Sequence, residues 1–255
     1  MKIRTLPLVL FLLAPLSAHA AIQWPGAPPC DGTLQACVTA AAAGEVIEVT
    51  ASTPIAESIT IEKSLALVGS GFPSPPHIAA GNFVMALSPA TGDHQIRIEN
   101  FIVDEGWIGI AHGGTGTLDV EVVGNSVYAT GYEAIRVWTG TGGLPRGPLV
   151  FDLAFNDIEM PNGGGERYGI LLDVSMATQV TGTVRRNDVS FGPNDQGGAM
   201  QLANADAAMS LSVTDNVVQG SGFDRGIFVY QYGDLGSIDA LVAGNIVMGA
   251  TIGEG

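Results

Sequence analysis

The sequence predicts an all-β chain wound as a parallel solenoid, with a short helix at its N-terminal end. Asn100, Asn125, Asn156, Asn187, Asn216 and Asn245 recur inside IENFI, VGNSV, AFNDI, RRNDV, TDNVV and AGNIV, at steps of 25, 31, 31, 29 and 29 residues. A fixed period of that size marks a solenoid, a propeller or an array. Downstream of the first five, a short alternating strand returns as IGIA from Ile108, IRVW from Ile135, ILLD from Ile170, MQLA from Met200 and IFVY from Ile227. Alternation puts Ile108 and Ile110, Ile135 and Val137, Ile170 and Leu172, Met200 and Leu202, and Ile227 and Val229 on one buried face. No unit carries a 3.6-residue apolar stripe, which disfavours helical repeats, and propeller blades need roughly 40 to 50 residues and four strands each. Stacked coils of two or three short strands remain, each burying its apolar side against the next.

In chain order, Lys2 and Arg4, the apolar run Leu6 to Leu16, and Ala18, His19 and Ala20 read as a secretory signal peptide over residues 1–20, cleaved before Ala21. The apolar run is short of the ~20 residues a span needs, and Pro7 and Pro15 interrupt it, so no membrane span is expected after cleavage. The chain has 10 Lys and Arg against 25 Asp and Glu; removing Lys2 and Arg4 leaves 8 basic residues and a net charge of −17. So acidic a surface repels nucleic acid and anionic membranes. It also repels an anionic polysaccharide unless divalent cations bridge the two. The expected location is secreted or periplasmic, including the cell surface.

Residues 21–44 read as an N-terminal lead and helical cap. Cys30 and Cys37 are the only cysteines, and export permits a disulfide between them. It would close about eight residues, worth roughly 2.5 kcal/mol in chain entropy. Asp31 or Thr33 is placed to cap a helix whose Leu34, Cys37, Val38 and Ala41 share a face, with Gly44 at its end. Such a helix covers the open end of the apolar interior. VIEVTAS, SITIEKS and LALVGSG follow as strands, with Val46, Ile47, Val49, Ile59, Ile61, Leu65, Leu67 and Val68 apolar. Phe72 to Pro76 is a Pro-rich loop, Phe83 to Leu87 another strand and Thr91 to His94 a turn. Residues 45–255 form one solenoid domain without a linker. Nothing after Asn245 and its Gly-rich turn resembles a terminal cap, so a fragment, or a partner at that end, is expected.

The repeated Asn, a residue, then a branched apolar one, with Gly-rich corners, resembles the right-handed parallel β-helix repeats of the pectate lyase-like superfamily. Thr33 through Gly71 is similar to its usual opening coil, and the resemblance covers Cys30 onward. It implies right-handed winding and an Asn ladder, in which an amide at one corner of each coil bonds the coils above and below. The six Asn residues are therefore expected to be structural, since buried unpaired amides cost a few kcal/mol each. The superfamily hosts lyases, hydrolases, epimerases and non-enzymatic surface proteins, so the likeness does not choose an activity. Paired aspartates with a Gly-His-Gly, as in polygalacturonases, and an Asp-Pro-His-Asp run, as in alginate epimerases, are both missing.

General catalytic motifs are missing too: no P-loop, H-E-x-x-H, C-x-x-C or G-x-S-x-G is present. His77, His94 and His112 lack metal-ligand spacing and read as loop residues. Chemistry is instead expected on the outward face of the repeating strand, where Gly109 and Ala111, Arg136 and Trp138, Leu171 and Asp173, Gln201 and Ala203, and Phe228 and Tyr230 form two columns about 4.8 Å per step. Arg136, Trp138, Asp173, Gln201, Phe228, Tyr230 and Tyr232 then become neighbours. Aromatic faces beside Arg, Asp and Gln suit sugar rings, and this face resembles the substrate groove of pectate lyase-like enzymes. A second column precedes the same strands: Glu133, Glu166 with Arg167, Asp195, and Asp224 with Arg225. An acid beside Arg167 or Arg225 suits β-elimination of a uronate; Glu133, Glu166 and Asp173 equally suit Ca²⁺; a carboxylate pair suits hydrolysis. The GTGGLPRGP and NGGGER turns lengthen two units along one edge.

The catalytic candidates are thus Arg136, Asp173, Glu166 and Arg167, and the substrate-binding ones Trp138, Gln201, Phe228, Tyr230 and Arg225; no resident metal is assigned. Lys63 is the only lysine after the leader, so a lyase must rely on arginine. The expected function is an exported protein that binds polysaccharide and, as an enzyme, cleaves it by lyase or hydrolase chemistry. The alternative is a non-catalytic cell-surface, adhesion or structural module, its columns ordinary outward residues.

Overall fold

The structure, a computed structural model, describes residues 21–71, 74–139, 146–161, 165–175, 177–192, 195–220, 223, 225–234 and 236–249, with backbone only at Asp195 and Gln196. The expected leader, Phe72, most of the GTGGLPRGP turn, Asn162 to Gly164 of NGGGER and Asp224 lie outside them.

Short runs of branched and aromatic residues punctuated by Gly, Asn and Asp favour strands over helices, and the described chain is nearly all strand with one helix. Three sheets form a right-handed parallel β-solenoid: sheet A of nine strands, sheets B and C of seven each. One coil shows the pattern, with Leu118–Val123 in sheet A, Ser126–Tyr128 in sheet B and Glu133–Thr139 in sheet C. Each strand pairs in parallel with its counterparts one coil before and after, as Leu118–Val123 does with His94–Glu99 and Leu149–Ala154. The core runs along the axis. Ile108, Ile110, Ile135, Val137, Ile170, Leu172, Met200 and Leu202 all face it, while Ile227 and Val229 in the last coil are half-buried. Packing alternates large with small: a Cβ on Gly182 would sit 2.1 Å from the ring of Phe151, its register partner in the coil below. Val46 and Val68 point outward because their strands alternate strictly about Ile47 and Leu67.

The helix spans Leu34–Ala40. Thr33 caps it by accepting from Ala36 N, and both oxygens of Glu57 accept from the Leu34 and Gln35 N–H groups. Lys63 donates to Thr39 O and Ala41 O at its other end. A carboxylate at the N-terminus and an ammonium at the C-terminus satisfy orphan backbone groups and oppose the helix dipole. Leu34, Cys37 and Val38 are buried on the first coils, and Cys30 and Cys37 are disulfide-bonded. No helix among the described residues is long and apolar enough to cross a membrane.

The sheet A to sheet B corner is the most regular part of the molecule. The residue before the Asn takes a left-handed conformation at Gly124, Phe155, Arg186, Asp215 and Gly244 (φ 67°, 58°, 54°, 58° and 68°), which turns the chain and sends the next side chain inward. Asn125, Asn156, Asn187 and Asn216 are at most 1% exposed. The Oδ1 of each following rung accepts from both the backbone N–H and the Nδ2 of the rung before it, at 2.8 to 3.1 Å from Asn125 to Asn245. Each Nδ2 also donates to a strand carbonyl of the preceding coil, Ile98, Val122, Leu153, Val184 and Val213 in turn. Asn100 is not a rung. It occupies the left-handed position itself (φ 60°) and donates to Gly69 O, while Phe101 takes the rung place and gives its N–H to Asn125 Oδ1. The first step is therefore one residue shorter than the Asn spacing suggests.

His112 departs from the loop reading as well: it is 0% exposed, because its strand runs to the sheet C to sheet A corner. Its Nε2–H donates to Gly147 O at 2.9 Å, since a carbonyl can only accept, and Nδ1 accepts from Ser88 Oγ at 3.0 Å. Ser88 Oγ in turn accepts the N–H groups of Gly113 and Gly114. Burial, and secondarily the Arg146 guanidinium, hold the imidazole pKa below its usual value. Below about pH 6.5 the unfolded chain thus binds a proton that the folded one refuses, and stability falls as pH drops through that value, by up to ~1.4 kcal/mol per pH unit. Against a His112→Gln variant, the wild type's advantage in urea midpoint is expected to shrink steadily from pH 7.5 to pH 5. A pH-independent difference would refute this assignment.

Candidate functional site

Sheet C carries the outward columns that the alternation specified. Arg136 pairs in register with Gly109 below and Leu171 above, then Leu171 with Gln201 and Gln201 with Phe228; Trp138, Asp173, Ala203 and Tyr230 form the parallel column. Leu171 and Ala203 are covered by their taller neighbours and form a floor.

Upstream of these columns the strict period of two fails. From the fourth strand of sheet C onward a small residue and a large one face inward together, as Ala134 with Ile135, Gly169 with Ile170, and Ala199 with Met200. A Cβ on Gly169 would meet Val189 Cγ1 at 2.4 Å, which shows how closely the inward backbone is packed there. The break reverses the parity of the preceding residues, so Glu133, Tyr168 and Arg225 point outward three residues before Arg136, Leu171 and Phe228. Two interactions follow from that spacing. Glu133 Oε1 accepts from Arg136 Nη1 at 3.2 Å, and the Arg225 guanidinium lies 4.5 Å over the Phe228 ring.

The same reversal turns Arg167 inward. It is 2% exposed, and its guanidinium donates to Gly131 O at 2.8 Å and also to Ala129 O and Pro161 O. Arg167 therefore braces the sheet B to sheet C corner and does not face the surface beside exposed Glu166. The second column does not form as expected either. Glu133 stands in register with Tyr168, Glu166 with Gln196 and Asp195 with Gly165. Glu166 and Asp173, seven residues apart on one strand, are separated by about 20 Å, far beyond the roughly 5 to 9.5 Å of a hydrolytic carboxylate pair. Among the described residues no three His, Cys, Asp or Glu side chains gather as cation ligands.

What sheet C does gather is an aromatic strip. Phe83 and Trp107 lie 5.5 Å apart between ring centroids, Trp107 and Trp138 5.9 Å. The Trp107 ring lies against Gly109, where an added Cβ would be 2.2 Å from it. Arg136 sits 5.1 Å over the Trp138 ring. Further along, Phe228 stacks on Tyr230 at 4.6 Å, and Tyr230 lies 6.0 Å from Tyr232. Tyr168, Leu171, Asp173, Gln201, Tyr230 and Tyr232 surround a concavity of about 300 Å³. Gln201 Nε2 donates to Tyr230 Oη at 3.2 Å, and Tyr232 Oη–H donates to Asp173 Oδ1 at 3.0 Å. Burial first, and then that bond to Asp173, push the Tyr232 phenol up to about 12. Burial, then Glu166, likewise raise Tyr168. Both phenols stay neutral donors across the physiological range.

Trp107, Phe83 and Tyr168 were not among the sequence candidates. Extending the outward parity one residue upstream of Ile108 would have found Trp107; Tyr168 required knowing of the parity break. Comparison of the chain with protein-family models, curated proteins and solved structures finds no match.

Proposed function

We propose that this chain is an exported β-solenoid that binds polysaccharide along the outward face of sheet C. The carrying observation is the strip from Phe83 through Trp107 and Trp138 to Tyr230 and Tyr232, with the concavity beside Asp173 and Gln201 at its far end. Ring faces stack on the C–H surfaces of sugars, while Asp173, Gln201 and the neutral phenols exchange hydrogen bonds with hydroxyls. Successive coils repeat the surface at the strand spacing, about 4.8 Å, which suits an extended chain. The Asn ladder and N-terminal capping helix support descent from the pectate lyase-like superfamily, and the Cys30–Cys37 disulfide fits an oxidising compartment.

Binding is the stronger form of this reading, since Glu166 and Asp173 stand about 20 Å apart along one strand and Arg167 is internal. A lyase would have to use Arg136, the outward cation beside Trp138. The test is a panel of neutral, amino and uronate polysaccharides with Ca²⁺ or chelator, following retardation in affinity gels, absorbance at 235 nm and new reducing ends. Retardation is expected with at least one class, and Trp138→Ala and Asp173→Ala should each weaken it about tenfold, with unchanged circular dichroism. Unsaturated ends would establish a lyase. Retardation indifferent to both substitutions would refute the site, and no retardation anywhere would favour a rigid adhesion or spacer module.

A further inference from the structure

We propose that the concavity beside Asp173 selects a glycan bearing protonated amino groups, a hexosamine polymer lacking N-acetylation, with one ammonium held between the Asp173 carboxylate and the tyrosine rings. This rests on the polysaccharide reading above and names the substrate class for that site. Three observations carry it. Asp173 has an incomplete set of partners: Oδ1 takes the Tyr232 hydroxyl, and Oδ2 has none among the described residues. The cations of this face are placed elsewhere, Arg136 on Glu133 and the Trp138 ring, and Arg225 over Phe228. A carboxylate is thus left without a cation in a concavity walled by Tyr168, Tyr230 and Tyr232.

Aromatic walls with one carboxylate attract an ammonium in two ways at once. The negative ring faces attract the cation, the more so as it is desolvated, and the carboxylate supplies a charged acceptor for N–H donors. That Arg136 and Arg225 lie 5.1 and 4.5 Å over rings of this same strip shows that its faces accept cations. A uronate is the wrong charge: its carboxylate would meet Asp173 on a chain of net charge −15. The volume, about 300 Å³, admits one sugar ring with its substituents.

The test is calorimetric titration of the chain with hexamers of glucosamine, N-acetylglucosamine, glucose and galacturonate at pH 6, where free amines are protonated. The glucosamine hexamer is expected to bind at least tenfold more tightly than the other three, and tetramethylammonium to compete. Asp173→Asn and Tyr230→Ala should each weaken glucosamine binding at least tenfold. Tyr230→Ala changes no charge and Asp173→Asn changes only one, so loss in both separates a built site from adsorption of a polycation to an acidic surface. Glucosamine binding untouched by both variants would overturn the proposal. Equal or tighter binding of the acetylated, neutral or uronate hexamer would overturn it too while leaving the polysaccharide reading standing; no binding of any hexamer would remove both.

Discussion

Replacing Asn187 by Ala is expected to lower stability by at least about 3 kcal/mol. Asn187 Oδ1 accepts from Asn156 N and Nδ2, and its own Nδ2 donates to Leu153 O and Asn216 Oδ1. Truncation takes the Asn187 partner from the Asn156 backbone N–H, from one N–H of the Asn156 amide and from Leu153 O, and a buried group so orphaned costs about 1 to 3 kcal/mol. Alanine also leaves a void where rungs lie in van der Waals contact. Asn187→Asp should behave differently: the carboxylate still accepts from Asn156, but it meets the Leu153 and Asn216 oxygens and can donate to neither. Acid should therefore restore part of its loss relative to Asn187→Ala, by returning one donor. Asn100→Ala is the control, since Asn100 stands off the ladder and gives one bond to Gly69 O; about 2 kcal/mol is expected there, one hydrogen bond together with the strain of alanine at a left-handed position. Guanidinium unfolding followed by circular dichroism ranks the three, and an Asn187→Ala midpoint no lower than that of Asn100→Ala would refute the assigned ladder.

Replacing Arg167 by Met is expected to cost about 3 kcal/mol or more, or to prevent folding. The guanidinium gathers the Ala129, Gly131 and Pro161 carbonyls inside one corner, and a thioether satisfies none of them. Glu166→Gln, one residue away but exposed, should stay within about 0.5 kcal/mol. The contrast separates two roles for neighbouring residues that look like one acid and base pair in the sequence. An Arg167→Met protein with wild-type stability and abolished glycan binding would return Arg167 to the site and sink the structural assignment.

The residues that misled the sequence reading share a physical cause. Side-chain period fixes the face of a residue only while the strand stays regular. It stayed regular from Ile135 to Trp138 and from Ile170 to Asp173, so both columns were legible. The inward pair Gly169 and Ile170 inverted everything upstream, which hid Tyr168 and made buried Arg167 look exposed. Its visible trace was a small residue before the apolar pair in each of the last four units, Ala134, Gly169, Ala199 and Gly226. Five ladder rungs were legible because the amide recurs; Asn100 was misread because the left-handed position also favours Asn, so identity alone left the register one residue open. His112 was beyond local reading altogether, since its partners Ser88 and Gly147 lie 24 and 35 residues away.

The pairing register carries one further consequence, for how quickly such a chain reaches its native state. Strand partners are separated by 20 residues between Glu45 and Leu65 and by 35 at most, between Ile135 and Ile170. Every strand contact therefore closes a loop of nearly the same length, and because closure entropy grows only with the logarithm of that length, the last coil costs about what the second did. Search time in this architecture is set by the coil and not by the chain, and the coil from Glu45 to Leu65, next to the capping helix, offers the shortest of those loops as a place to begin.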